Sequence, residues 1–323
     1  MKRRDFIKIS AALAASTALP WATSASAALD DLRIIAPAKP GGGWDQTARA
    51  LEEVTRALNL AGSVSVENVT GAGGTIGLSQ LASKESGDPK VLMVMGLVMV
   101  GAVLTNGSAV TLEQTTPIAR LTGEWEVIVV PVASEFKTLA DMTAKLKADP
   151  GSVAFGGGSA GGTDHILAGL ITKAAGADLT KLNYIPFSGG GEALAAILGG
   201  HVAAGISSYS EWEGQIKSGE LRLLGISSGE KVEGIDGPTL KEQGIDVELA
   251  NWRGVVAPPE LDDAGKAGLL DLIKQIHDSA EWKKILADKK WTDLYLAGDE
   301  FAALVKEENT RTTEVLKAIG LVQ

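Results

Sequence analysis

Four short segments of this 323-residue chain concentrate glycine: Pro40-Gly41-Gly42-Gly43-Trp44-Asp45, Gly71-Ala72-Gly73-Gly74, Gly156-Gly157-Gly158-Ser159-Ala160-Gly161-Gly162 and Ser188-Gly189-Gly190-Gly191. Each follows an apolar, strand-like stretch and precedes residues with helical periodicity. A helix N-terminus has N–H groups without an intrahelical acceptor and carries about half a positive charge. Glycines ahead of it let the backbone approach a ligand closely. Such a turn holds a carboxylate or phosphate with no cationic side chain. In open α/β sheets ligands sit at the carboxyl ends of strands, and all four turns fall there. Two turns from each half of the molecule, facing across a cleft, would clamp one anion-bearing ligand. Tight strand-to-helix packing alone accounts for one such turn; four of them favour binding.

Other chemistries compete for the same residues. Gly156-x-Gly158-x-x-Gly161 fits a dinucleotide fingerprint, which would make the chain an exported NAD(P)-dependent oxidoreductase. The acid it needs would be Asp178, 17 residues after Gly161, but Asp178 stands in a turn rather than at a strand end. Gly157-x-Ser159-x-Gly161 matches a serine hydrolase nucleophile elbow. Its histidine would have to be His165, His201 or His277, and none is expected in a suitable loop. Ser159 is better placed to donate its hydroxyl to a ligand or to its own loop. The three histidines lack metal-ligand spacing, and no G-K-[S/T] phosphate loop occurs. There are no cysteines, which removes disulfides, thiolate metal sites and cysteine nucleophiles. Asp45 and Asp164 each open a helix. They read as N-caps, worth about 1 kcal/mol, that also orient the loop or a bridging water. Trp44, inside the first turn, either packs on the ligand or closes its lobe. The expectation is a binding protein that performs no chemistry and needs no cofactor or metal.

Charge narrows the partners. The formal net charge is −10, which argues against nucleic acid and gives no attraction to an anionic membrane surface. The cationic start Lys2-Arg3-Arg4-x-Phe6-Ile7-Lys8, a weakly apolar run to about Ala22, and Ala25-Ser26-Ala27 read as a cleaved export signal of the twin-arginine type over residues 1–27. Cleavage would remove a net +3 and take the mature chain from −10 to −13. No cysteine follows the apolar run, so no lipid anchor is expected. Beyond the leader no run reaches the ~18 apolar residues of a membrane span. A soluble periplasmic monomer is expected.

The elements that must position the turns follow from periodicity. Strands are predicted at 32–37, 64–69, 153–155 and 183–187, with others at 90–95, 127–132, 202–207 and 221–226. Helices follow each glycine turn; Leu51, Val54 and Leu58 share one face of the first. The alternation means α/β architecture with largely parallel sheets. The tail from Asp262 to Gln323 reads as mostly helical. Strand-like stretches at 115–132 and 249–256 flank a central block. They suggest residues 28–129 plus 252–323 as one domain and 130–251 as a second, inserted domain, with a hinge and cleft between the lobes.

With these motifs assembled, the chain resembles the tripartite tricarboxylate transporter substrate-binding proteins, also called Bug proteins. The resemblance rests on P-G-G-G-W-D (Pro40–Asp45) with Arg49, V-E-N-V-T-G-A-G-G-T-I-G (Val66–Gly77), G-S-A-G-G-T-D-H (Gly158–His165) and Y-I-P-F-S-G-G-G-E-A-L (Tyr184–Leu194). It continues through L-G-G-H-V (Leu198–Val202), P-T-L-K-E-Q-G (Pro238–Gly244) and W-R-G-V-V-A-P-P (Trp252–Pro259), in the family's order. It implies a two-lobed Venus-flytrap periplasmic binding protein of type II kind, with a hinge of crossing strands and a small organic acid as ligand. It also implies partners, one large and one small integral membrane subunit. The loops Gly41–Asp45 (Gly41, Gly42, Gly43, Trp44, Asp45) and Ser159–Thr163 (Ser159, Ala160, Gly161, Gly162, Thr163) would hold the ligand's carboxylate, partly through water, with Asp164 next to them in the site. Gly73, Gly74, Leu97, Val98, Ser188 and Gly189 would line the cleft, with Ser207 and Tyr209 facing them. Two departures bear on the ligand: Met95-Gly96-Leu97-Val98-Met99 is less polar than in many members, and Phe187 stands where many have tyrosine.

Overall fold

The computed structural model describes residues 29–187 and 189–323; the leader and Ser188 lie outside them. Strand β1 (Leu29–Ala36) leads into α1 (Gly43–Ala57), β2 (Ala61–Asn68), α2 (Thr75–Lys84), β3 (Val91–Gly96) and α3 (Leu97–Thr105). A 16-residue strand, β4 (Thr116–Pro131), then runs from one part of the sheet to the other. Next come α4 (Leu139–Ala148), β5 (Ala154–Gly157), α5 (Thr163–Ala174), β6 (Asn183–Pro186), α6 (Gly190–Leu198), β7 (Ala204–Ser208), α7 (Tyr209–Ser218) and β8 (Leu221–Ile226). The chain returns along β9 (Ala250–Ala257) and ends in α8 (Asp263–Asp278), α9 (Ala280–Lys289), β10 (Thr292–Ala297) and α10 (Gly298–Ala318).

The sheet order is β2-β1-β3-β9-β4-β7-β5-β6, with β8 and β10 also on β4. Within each lobe the strands that end in glycine turns are parallel: β1 with β2 and β3, β5 with β6 and β7. The expectation of largely parallel sheets holds only there. Every pairing of β4 and β9 is antiparallel, because a chain that passes directly from one lobe to the other and back runs in opposite directions. β4 pairs with β9 as far as Trp125 and with β7 from Glu126 onward, so one strand is shared by the two lobes. The return crossing lies beside it: Ser227 Oγ donates to Leu249 O at 2.6 Å and accepts from the Glu126 amide at 3.0 Å.

The helical tail contains one strand that periodicity does not reveal, β10, which completes the edge of the first lobe against β4. The apolar run Val91–Val103 divides at Gly96 into a fully buried strand and a helix. Gly96 packs so close to the Trp252 carbonyl that no side-chain carbon fits. One core lies under α1, where Leu51 and Val54 meet Leu32, Ile34, Val94, Ile273 and Trp282. A second, of Val127, Val129, Ile197, Tyr209, Trp212 and Ile226, belongs to the other lobe. A third runs through both lobes, from Met93 and Val100 to Ile128, Phe155, Ile166 and Val315. The first and third turns therefore stand on the buried ends of β1 and β5, whereas β2 and β6, which lead into the other two, are partly exposed.

Candidate functional site

The first turn is shaped from within. Gly42 is the N-cap of α1, and no side chain caps it. Asp45 is not the cap; it lies in the first turn of the helix and reaches back, accepting the Gly41 amide at 2.7 Å. It also accepts Arg49 Nε at 3.0 Å and Asn68 Nδ2 at 2.8 Å, and Asn68 in turn donates to Ala38 O. Burial pushes this carboxyl up, but the hydrogen bonds from Arg49, Gly41 and Asn68 outweigh it and hold the group below its ordinary value. The orienting role expected of Asp45 is thus the one it performs.

The second turn makes room for Trp44. Gly71, Gly73 and Gly74 all have positive φ. A side-chain carbon on Gly74 would stand 2.6 Å from the Met99 methyl and 2.8 Å from the Trp44 ring. Trp44 packs on the core under α1 and on the core that runs through both lobes, and it also lines the cavity.

The third turn repeats the first. Gly162 is the N-cap of α5, and the Asp164 carboxylate accepts the Gly158 amide at 2.5 Å. His165 Nδ1 accepts the Gly161 amide at 3.2 Å, and its ring stacks on Tyr184 with centroids 4.0 Å apart. Burial pushes His165 down to about 4, so it is neutral at pH 7. Of the fingerprint glycines, Gly156 faces Val202 and Phe187 and Gly161 faces Thr105, while Gly158 lines the cavity; a side-chain carbon on the neighbouring Gly157 would meet the Tyr184 hydroxyl and Asp164. Tyr184 Oη donates to Gly158 O at 2.8 Å. Asp178 caps a short turn by accepting the Thr180 amide. Among the described residues no histidine is hydrogen-bonded to Ser159. Neither the dinucleotide nor the hydrolase arrangement is assembled.

In the fourth turn the Glu211 carboxylate lies directly against Gly190 at the start of α6, and Ser207 Oγ donates to it. Three of the four turns therefore already hold a carboxylate of the chain itself: Asp45, Asp164 and Glu211.

A cavity of about 330 Å³ opens between the turns. Of the sequence-predicted residues, Gly43, Trp44, Val98, Ser159, Gly162, Thr163, Asp164, Gly189 and Ser207 line it. The others among the described residues stand back from it. Gly41, Gly42 and Asp45 shape the first turn from behind. Gly73 and Gly74 pack on Ala102 and Trp44, and Leu97 is wholly buried in the core. Gly161 presses its carbonyl on Gly101, and Ala160 is exposed at the loop tip. Tyr209 borders a different hollow, beside Trp125, Lys217 and Leu286.

The crossing strands add what the motifs did not reveal. Glu124, Asn251 and Arg253 line the cavity. The Arg253 guanidinium pairs with Glu124 at 2.5 Å, with both side chains only 9% exposed. A side-chain carbon on Gly43 would stand 2.6 Å from Arg253 Nη2, so the guanidinium touches the first turn. Glu126 is fully buried next door; Ser208 Oγ donates to its Oε1 at 3.1 Å. Burial, then Asp164, Glu124 and Glu211, push the Glu126 carboxyl well up. Burial and Glu211 raise Asp164 to about 7 against the pull of the Gly158 amide. The available signal was a charged residue inside an apolar strand, Glu126 before Val127–Val130 and Arg253 before Val255-Val256.

Comparison with known proteins identifies the family. The tripartite tricarboxylate transporter family receptor (TctC) pattern matches residues 47–321, and a twin-arginine translocation signal matches residues 1–20. BugT of Bordetella pertussis is 29% identical over 297 residues, covering 90% of this chain and 89% of BugT. Two solved structures share the fold. MatC from Rhodopseudomonas palustris with bound malate has a TM-score of 0.72 at 23% identity, covering 88% of this chain and 98% of MatC. An R. palustris protein with adipate has a TM-score of 0.76 at 19% identity, covering 90% and 98%. Among the described residues no helix is long and apolar enough to cross a membrane. The chain belongs to the tripartite tricarboxylate transporter family of receptors, TctC, and is a periplasmic solute-binding protein of two-lobed fold rather than an enzyme.

Proposed function

We propose that this receptor captures one small organic acid in the cavity between its lobes, closes on it, and presents it to the large and small membrane subunits of a tripartite tricarboxylate transporter. The observation that carries this reading is the opposition of the first turns of α1 and α5 across one cavity, with Arg253 beside Gly43. First-turn amides have no intrahelical acceptor and point at a ligand, and a guanidinium offers paired donors to a carboxylate. The similar folds with malate and adipate support an acid as ligand. We assign residues 28–129 with 252–323, and 130–251, as the two bodies that move, and a monomer as the working unit.

Closure needs flexible crossings. The handover in β4 at Trp125–Glu126 and the return at Leu249–Ala250 are the points about which the lobes would turn. The test is a thermal-shift and calorimetry screen of the mature chain against mono-, di- and tricarboxylates, amino acids and aromatic acids. One class should raise Tm with saturable 1:1 heat, and small-angle scattering should show a smaller radius in its presence. A screen in which no acid binds would sink the reading.

A further inference from the structure

The two bodies assigned above also meet outside the cavity, between α7 and the end of α9. Lys290 ends α9 in the first lobe, and Glu213 stands in α7 of the second. The Lys290 ammonium donates to Glu213 Oε1 across the 77 residues that separate them in the chain. Lys217, one turn further along α7, pairs with the same oxygen at 2.7 Å. Lys290 reaches Glu213 from a left-handed backbone, φ 56°. Glycine is the usual residue at such a helix end, because a side chain makes this conformation costly. A lysine held there has a contact that offsets the strain. Lys217, Lys290 and Trp291 line a hollow that adjoins the ligand cavity, since Glu124 lines both spaces.

We propose that Lys290 and Glu213 form a latch between the lobes, which holds the receptor partly closed before any ligand arrives. This rests on the lobe closure proposed above and adds what sets its resting point. Opening about β4 separates α7 from α9 and breaks the pair, whereas Lys217–Glu213, within one helix, survives. In the open form Glu213 thus keeps a partner and Lys290, already half exposed, turns to water. An ion pair with this exposure shifts a balanced open–closed equilibrium about two- to fivefold. The apparent affinity for a ligand that needs the closed form moves by no more than that factor. The lobes touch at Gly101 and Gly161 too, but that contact carries no charge and does not respond to salt.

The experiment is double electron–electron resonance on the ligand-free mature chain. The chain has no cysteine, so Ala57→Cys in α1 and Ala195→Cys in α6, both exposed, take one spin label each. Glu213→Gln and Lys290→Met should each lengthen the distance between labels, with the open share rising about two- to fivefold against the closed. Lys217→Met should not. Raising salt from about 0.05 to 1 M should open the labelled parent chain and leave Glu213→Gln unmoved. Should a variant not fold, the salt series on the parent chain decides the matter. Equal distances in parent, Glu213→Gln and Lys290→Met, or a parent indifferent to salt, overturn the latch. If acids that bind still shorten the distance in that case, the receptor reading stands without it. If no acid in the screen shortens the distance in any chain, the closure reading fails as well.

Discussion

Arg253 and Glu124 meet where the chain crosses between the lobes, a guanidinium and a carboxylate 2.5 Å apart with little access to water. Both line the cavity in which we propose that the ligand binds. Breaking a buried pair leaves one charge without compensation, at a cost of about 3–5 kcal/mol. Arg253→Met should destabilise the protein by that order in urea denaturation. Adding Glu124→Gln should restore most of the stability without restoring acid binding. Retained affinity in Arg253→Met would take the guanidinium out of the ligand site.

Asp45 should matter for the first turn more than for direct contact. Its carboxylate is nearly inaccessible and accepts three donors, and loss of such a buried acceptor costs about 1–3 kcal/mol. Asp45→Ala should show that loss together with weaker ligand binding. Because its folded-state carboxyl titrates below the ordinary value of 3.8, its contribution is present above that pH and is lost as pH falls below it. The stability gap between wild type and Asp45→Ala should therefore shrink in acid, as read from melts between pH 3 and 6 (about one unit below to two above the ordinary carboxylate range).

Asp164 has the opposite sign. Burial and Glu211 raise it to about 7, far above 3.8. A raised folded-state value means stability that is present at low pH and falls as pH rises through 7. Asp164→Asn keeps an oxygen for the Gly158 amide but carries no charge. The variant should gain on wild type in Tm as pH moves from 4 to 8, with Glu126, Glu124 and Glu211 setting the slope. A constant difference across that range would contradict the assignment.

Gly101 on α3 and Gly161 in the third turn touch so closely that a side-chain carbon on Gly101 would overlap the Gly161 carbonyl. Gly101→Val should wedge the lobes apart, weaken ligand binding about tenfold or more, and leave the scattering radius unchanged on ligand addition. Compaction equal to wild type would show that closure does not use this contact.

The chain's local order was legible in the residues themselves. Alternating strand and helix periodicity around Gly41–Gly43, Gly71–Gly74, Gly156–Gly162 and Ser188–Gly191 placed the turns, because hydrophobic period and glycine content are properties of neighbouring residues. The family motifs, from Pro40–Asp45 to Trp252–Pro259, added the two-lobed architecture. Strand β10 escaped, since Thr292–Ala297 lies among helices and its partner, β4, is about 170 residues away.

What the turns do was decided only by the tertiary fold. The sequence marked Asp45 and Asp164 as orienting their own loops, but nothing local shows that Glu211 lies on Gly190. The sequence alone determined that the chain has glycine-rich turns ahead of helices; folding determined that Glu211 comes to lie against the start of one of them. It also brought Arg253 and Glu124 together from strands 129 residues apart in the chain. The physical reason is range: a turn's shape follows from the few residues that build it, whereas the charge it faces comes from whichever distant strand the packing places opposite.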